Sequence, residues 1–159
     1  MRSFKQLTAT VFTTAAVFSV QAADNSVVTV SAVVLSKNNC KFDAPISIAL
    51  AFGNIDPNGG SAATASGSLS FKCGGSSATA SYILTHDSGL WDTGPGGNRM
   101  KHATLTQYLP YILTLSPSSG SVAKNVTQTV NVGGSISPAD FQDATMGAYA
   151  DTVVVTLNP

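Results

Sequence analysis

Apolar residues fall at every second position along most of the chain. Ile46, Ile48, Leu50 and Phe52 form one such series, Leu69, Phe71 and Cys73 another, and Tyr82 with Leu84 a third. Tyr111, Leu113 and Leu115 follow, then Val126, Val130 and Val132, and finally Tyr149, Val153, Val155 and Leu157. A period of two sends successive side chains to opposite faces, so each series predicts a strand buried on one face only. Between the series lie turn formers: Gly53 to Gly60 with Asn54, Asp56 and Pro57, then Gly74-Gly75-Ser76, Gly94 to Asn98, and Pro117 to Gly120. Gly133-Gly134-Ser135 reads as a further turn, and the Gly, Ser and Ala of residues 59–67 as one long surface loop. A single helical turn is expected at Pro138 to Phe141. Short strands at this spacing predict an all-β, two-sheet antiparallel sandwich. No internal repeat, heptad or linker divides it.

The N-terminal region departs from this pattern twice. Arg2 and Lys5 precede an uncharged, apolar and Thr-rich stretch from Leu7 to Val20. That arrangement predicts a secretory signal over residues 1–22, cleaved between Ala22 and Ala23 to leave 137 residues. The stretch is too short and too polar for a membrane span. Directly after it, Val27 to Leu35 reads VVTVSAVVL, with Val28, Val30, Ala32 and Val34 on one face. So strong a strand former needs burial, yet it stands at the end of the mature chain, where domains are ordinarily frayed and polar. Either it pairs as the first strand of its own domain or it completes another molecule.

Charge and cysteine content narrow the function classes. Without the signal, six Lys or Arg face eight Asp and no Glu, a net charge of −2. No basic footprint for nucleic acid is present. Charged residues make up 10 % of the chain, against about 25 % in ordinary soluble proteins, so much of the surface is Ser, Thr, Asn and Gly or is covered by partners. The length suits one domain, residues 37–159, behind a short segment, 23–36. Cys40 and Cys73 are the two cysteines, and export to an oxidising compartment predicts that they pair. Closing that loop stabilises the fold by roughly 3–4 kcal/mol in the chain-entropy model.

Candidate chemistry is thin. His86-Asp87-Ser88 and Asp92 lie too close in sequence to converge as a catalytic triad, and a polar turn accounts for them. Adding His102 produces no zinc-ligand spacing. Gly133-Gly134-Ser135 lacks the strand-to-helix setting of a nucleophile elbow, and the glycines of residues 94–98 sit in no βα unit, so no cofactor is expected. Trp91, Tyr108 and Tyr111 are candidates for a sugar platform, with core or inter-subunit packing as the alternative. Arg99 and His102, within GNRMKH, suggest a structured loop that positions a sheet edge or a subunit contact. An enzyme is the least supported class.

Several blocks together carry a family resemblance: FGNIDP at Phe52 to Pro57, SGSLSFKC at Ser66 to Cys73, GNRMKH at Gly97 to His102, LPYILTL at Leu109 to Leu115 and GAYADTVVVTL at Gly147 to Leu157. They resemble the spore coat protein U domain family, which includes the archaic chaperone-usher (Csu-type) pilins, over essentially the whole mature chain. The resemblance implies an incomplete immunoglobulin-like antiparallel β-sandwich with an N-terminal donor strand. It implies export to the periplasm, a chaperone that lends a strand, an outer-membrane usher, and head-to-tail assembly of copies into a surface fibre serving adhesion or biofilm formation. On that reading Val28, Val30, Ala32 and Val34 enter the groove of a neighbouring copy. A spore or cell-surface coat component of the same family, and a monomeric secreted carbohydrate-binding module, are the alternatives.

Overall fold

A computed structural model describes residues 29–33, 38–91, 94 and 97–159. The chain divides into two units, Met1–Val33 and Val34–Pro159. The signal, the Ala22 and Ala23 cleavage site, Val28, Val34 and Asp92 lie outside the described residues. In the first unit, residues 29–33 are exposed and belong to no strand, with Val30 at 89 % exposure.

The second unit is built from antiparallel strands. One sheet takes β1 (Asn38–Phe42), β2 (Ala63–Gly75), β8 (Thr127–Ile136) and β6 (Ile112–Ser116) in the order β1-β2-β8-β6. A second sheet orders β10 (Val155–Asn158), β3 (Thr79–His86) and β7 (Ser119–Ala123). The third sets β4 (Arg99–His102) between β5 (Tyr108–Pro110) and β9 (Tyr149–Ala150). The single turn of helix, α1, runs Pro138–Phe141 as the sequence suggests; Pro138 at its start fits because the first turn leaves amides unpaired in any case.

Alternation fixes the packing. Leu69, Phe71 and Cys73 of β2 and Val130 and Val132 of β8 are buried, while Ser68 and Lys72 face outward. Phe71, Cys73 and Val130 meet Ala80, Tyr82 and Leu84 of β3 and Val122 of β7, closing a sandwich core between the first two sheets. The Phe71 and Tyr82 rings meet edge to face at 4.8 Å. A second cluster of Leu109, Tyr111, Ile136 and Phe141 fills the other end, with Phe52, Met100 and Tyr149 packed against it. Cys40 and Cys73 lie directly opposite in the β1–β2 ladder and form the expected disulfide. The whole is an immunoglobulin-like antiparallel sandwich with strands that curl between sheets.

The GNRMKH block contributes strand β4 rather than a loop, Ser119 and Gly120 open β7 rather than closing a turn, and Val126 is exposed ahead of β8. Four further details depart from the sequence expectation. Residues 63–67 are the first half of β2, paired with Ile136 to Val132, rather than part of a loop. Gly133-Gly134-Ser135 is no turn but the interior of β8, paired on both sides by β2 and β6. The reason is space: a Cβ at Gly134 would stand 2.7 Å from the Phe52 ring, and one at Gly67 would stand 3.0 Å from Ile48 Cδ1. These glycines thin the inner face of the sheet so that another segment can lie across it. That segment is the third departure. Residues 45–52 keep the expected alternation, with Ile48, Leu50 and Phe52 half-buried and Ser47, Ala49 and Ala51 exposed, but they enter no strand ladder among the described residues. Finally, the C-terminal series is split into β9 and β10 by residues 151–154, which lie outside every ladder.

Candidate functional site

The two unladdered segments face each other. Ile46, Ile48, Leu50 and Phe52 form one wall, and the chain from Tyr149 to Val155 the other, of a groove of about 580 Å³. Leu69, Val132 and Gly134 contribute its floor, with Tyr111 and Leu113. The walls run in opposite directions, since Phe42 and Val155 pack on the sandwich core while Phe52 and Tyr149 pack on the second cluster. Ile46 is 81 % exposed although its pattern calls for burial.

Backbone hydrogen bonding at the walls is incomplete. Among the described residues, 45–52 make no backbone-to-backbone hydrogen bond. An apolar trough edged by unsatisfied N–H and C=O groups offers both hydrophobic contact and a ladder to any strand that enters it.

The 149–155 wall is fastened from behind by side chains. Asp87 Oδ1 accepts from the Val154 amide at 2.9 Å and the Gly89 amide at 3.1 Å, and the Asp87 amide donates to Val154 O at 3.1 Å. Asp151 Oδ1 accepts from the Leu90 amide at 2.9 Å, and Asp151 Oδ2 from the Tyr111 hydroxyl at 2.7 Å. Burial and the Asp151 bond push the Tyr111 hydroxyl well above the ordinary tyrosine pKa. Gly89, at φ +81°, passes close to the Asp151 carboxylate, where any Cβ would collide.

His102 secures the entry to the same wall. The ring is buried, and its Nδ1 accepts from the Thr104 and Leu105 amides, each at 3.1 Å. The proton of the neutral ring therefore sits on Nε2, which donates to Met146 O at 3.1 Å. The ring meets Tyr149 edge-on at 5.1 Å, and Gly147 passes so close that it admits no side chain. The GNRMKH block is not the expected loop: Arg99–His102 form β4, the middle strand of its sheet, and His102 ties it to Met146 and Tyr149, while Arg99 lies 3.8 Å over the Tyr108 ring and donates from Nε to Trp91 O at 2.5 Å.

The remaining sequence candidates do not converge. Trp91 and Tyr108 meet at 6.5 Å, but Lys101 covers a face of Trp91 at 4.4 Å and Arg99 a face of Tyr108. Tyr111 lies elsewhere, against Phe52 in the second cluster. His86 contacts its neighbour Asp87 O at 2.8 Å. Among the described residues, no three His, Cys, Asp or Glu side chains gather in a ligating group. No described helix is long and apolar enough to cross a membrane. Sequence reasoning set Asp87 aside as turn chemistry and passed over Asp151. The visible signal was the interrupted series Tyr149, Val153, Val155, in which position 151 is inward-facing but charged.

Comparison with solved structures finds low-identity similarity. One is a chain of a chaperone-tip adhesin complex described for CFA/I fimbriae biogenesis, 14 % identical, TM-score 0.49, matched over 76 % of this chain and 41 % of that one. Another is a chain of the CsuC-CsuE chaperone-tip adhesion subunit pre-assembly complex from archaic chaperone-usher Csu pili of Acinetobacter baumannii, 17 % identical, TM-score 0.48, matched over 76 % of this chain and 39 % of that one. The chain thus spans about two-fifths of the length of each. No curated protein matches it. The Spore Coat Protein U domain model, however, matches residues 24–156, which takes in the disulfide, both groove walls and the His102 and Asp151 supports, and the chain belongs to that family.

Proposed function

We propose that the chain is a structural subunit of a surface fibre, exported through the periplasm, held there by a chaperone, and assembled at an outer-membrane usher by donor-strand exchange. The observation that carries this reading is the groove: two largely apolar walls, one of them with no backbone partner among the described residues, in a chain that also carries the strand-forming series Val28, Val30, Ala32 and Val34. Family membership agrees with it. The four alternating positions Ile46, Ile48, Leu50 and Phe52 match in number the alternating Val28, Val30, Ala32 and Val34. Each valine buried contributes roughly 1.5–3 kcal/mol before ordering costs, and the new ladder fixes the strand in place. The contact is head-to-tail, so copies add without limit when the rotation between them does not close a ring. The fibre serves adhesion or biofilm formation.

Replacing Val30 with Asp tests the reading, because an unpaired carboxylate enters an apolar groove only at high cost. Surface polymers disappear while folded subunit persists in the periplasm. Polymers at normal abundance contradict donation by this segment.

A further inference from the structure

On the 149–155 wall the half-buried positions are Tyr149, Asp151, Val153 and Val155, and the alternate positions Ala150, Thr152 and Val154 are exposed. The inward row thus contains one charged side chain among apolar ones. A carboxylate offers about four acceptor sites; the Tyr111 hydroxyl and the Leu90 amide use two of Asp151's. Asp151 also lines the groove itself. A large apolar side chain pressed against it strips water from the carboxylate without replacing the lost hydrogen bonds.

The segment 28–34 has a matching irregularity, since its inward row is Val28, Val30, Ala32 and Val34, with one small residue among three valines. A strand between walls of opposite direction is antiparallel to one and parallel to the other. Antiparallel to the 149–155 wall, the four positions meet as Val28 with Val155, Val30 with Val153, Ala32 with Asp151 and Val34 with Tyr149. In the parallel direction, or after a slip of two residues, a valine lies on the carboxylate instead. We propose that Asp151 is the register- and direction-determining residue of the groove, which selects a strand from a second copy whose Ala32 lies against it. The inference rests on the donation reading above and adds where, and which way round, the strand sits.

Directly opposed residues of paired strands bring their Cβ atoms to about 4.5–5.5 Å, within reach of a disulfide after slight adjustment. Paired cysteines therefore read the register in surface polymers from cells that express the chain in its native setting. Ala32→Cys with Asp151→Cys, and Val30→Cys with Val153→Cys, give oxidised ladders that survive detergent and collapse on reduction. Val30→Cys with Asp151→Cys gives none. The Val30 and Val153 pair keeps Asp151 and so reads the register even where the first variant folds poorly. Ladders from Val30 and Asp151, or from Ala32→Cys with Val153→Cys, overturn the register and leave donation standing. Polymers without a cross-link at any pair, or cross-links confined to single chains, overturn both. Selectivity is read separately: Ala32→Leu lowers polymer yield by at least about tenfold, and combination with Asp151→Ala restores part of it. Full yield from Ala32→Leu alone overturns the role of Asp151.

Discussion

At Gly134 the ring of Phe52 occupies the volume a side chain would need, with Cζ 2.7 Å from the Cβ position. Gly134→Ala therefore destabilises the subunit by about 1–3 kcal/mol, through overpacking against a sheet that cannot yield on either side. Gly60→Ala, with open space around it, changes stability little; urea denaturation of the two variants measures the difference. Tyr111 makes a different prediction. Its folded pKa is raised from an ordinary value of 10.0, chiefly by burial and then by the Asp151 bond. A raised folded value means that the stability it confers is fully present below the unfolded pKa, near 10, and is lost as pH rises above it toward the folded value. Tyr111→Phe loses roughly 1.5–3 kcal/mol at neutral pH with its bond to a charged group, and lacks this component of alkaline destabilisation. Unfolding curves from about pH 8 to about pH 11 show both effects. Neither residue's role was legible from sequence: glycine pairs read as turns because the ring that fills their space comes from 82 residues earlier in the chain, and a tyrosine in an alternating run gives no sign of its partner.

Among the elements, the strands with regularly alternating apolar residues were the legible ones, whereas β4, expected as a loop, and β7, whose start was expected as a turn, were not. Leu69 to Cys73, Tyr82 and Leu84, and Val130 and Val132 alternate, and all are buried where alternation places them. Residues 45–52 alternate just as regularly but enter no ladder, because period two reports which side chains want burial and says nothing of where the backbone finds hydrogen bonds. Residues 63–67 show the converse, a stretch of small residues, Ala-Thr-Ala-Ser-Gly, that joins β2 because β8 pairs with it. Hydrogen exchange separates these cases. In the isolated subunit the amides of 46–52 exchange quickly, whereas those of Phe71 and Val130 are protected; in the assembled fibre protection extends along the groove walls. The Val154 amide, held by Asp87 Oδ1, is slower than its neighbours at 151–153 before assembly. Equal protection of 46–52 in subunit and fibre runs against strand addition at this wall.

The whole molecule combines a sandwich that carries a groove with one unladdered wall and a sequence, Val27 to Leu35, rich in strand formers. Composition indicated a surface of Ser, Thr, Asn and Gly or one covered by partners, the signal indicated an oxidising destination in which the cysteines pair, and the excess of strand formers just behind the signal indicated a segment in need of burial. What sequence pattern alone left open, donation or self-pairing, depends on which backbone edges stay free, and that is a property of the folded domain. The most direct test deletes residues 23–35 behind an intact signal. The account predicts a subunit that keeps its Cys40–Cys73 disulfide and its folded sandwich but forms no polymer. Fibres assembled from the deleted chain would contradict it.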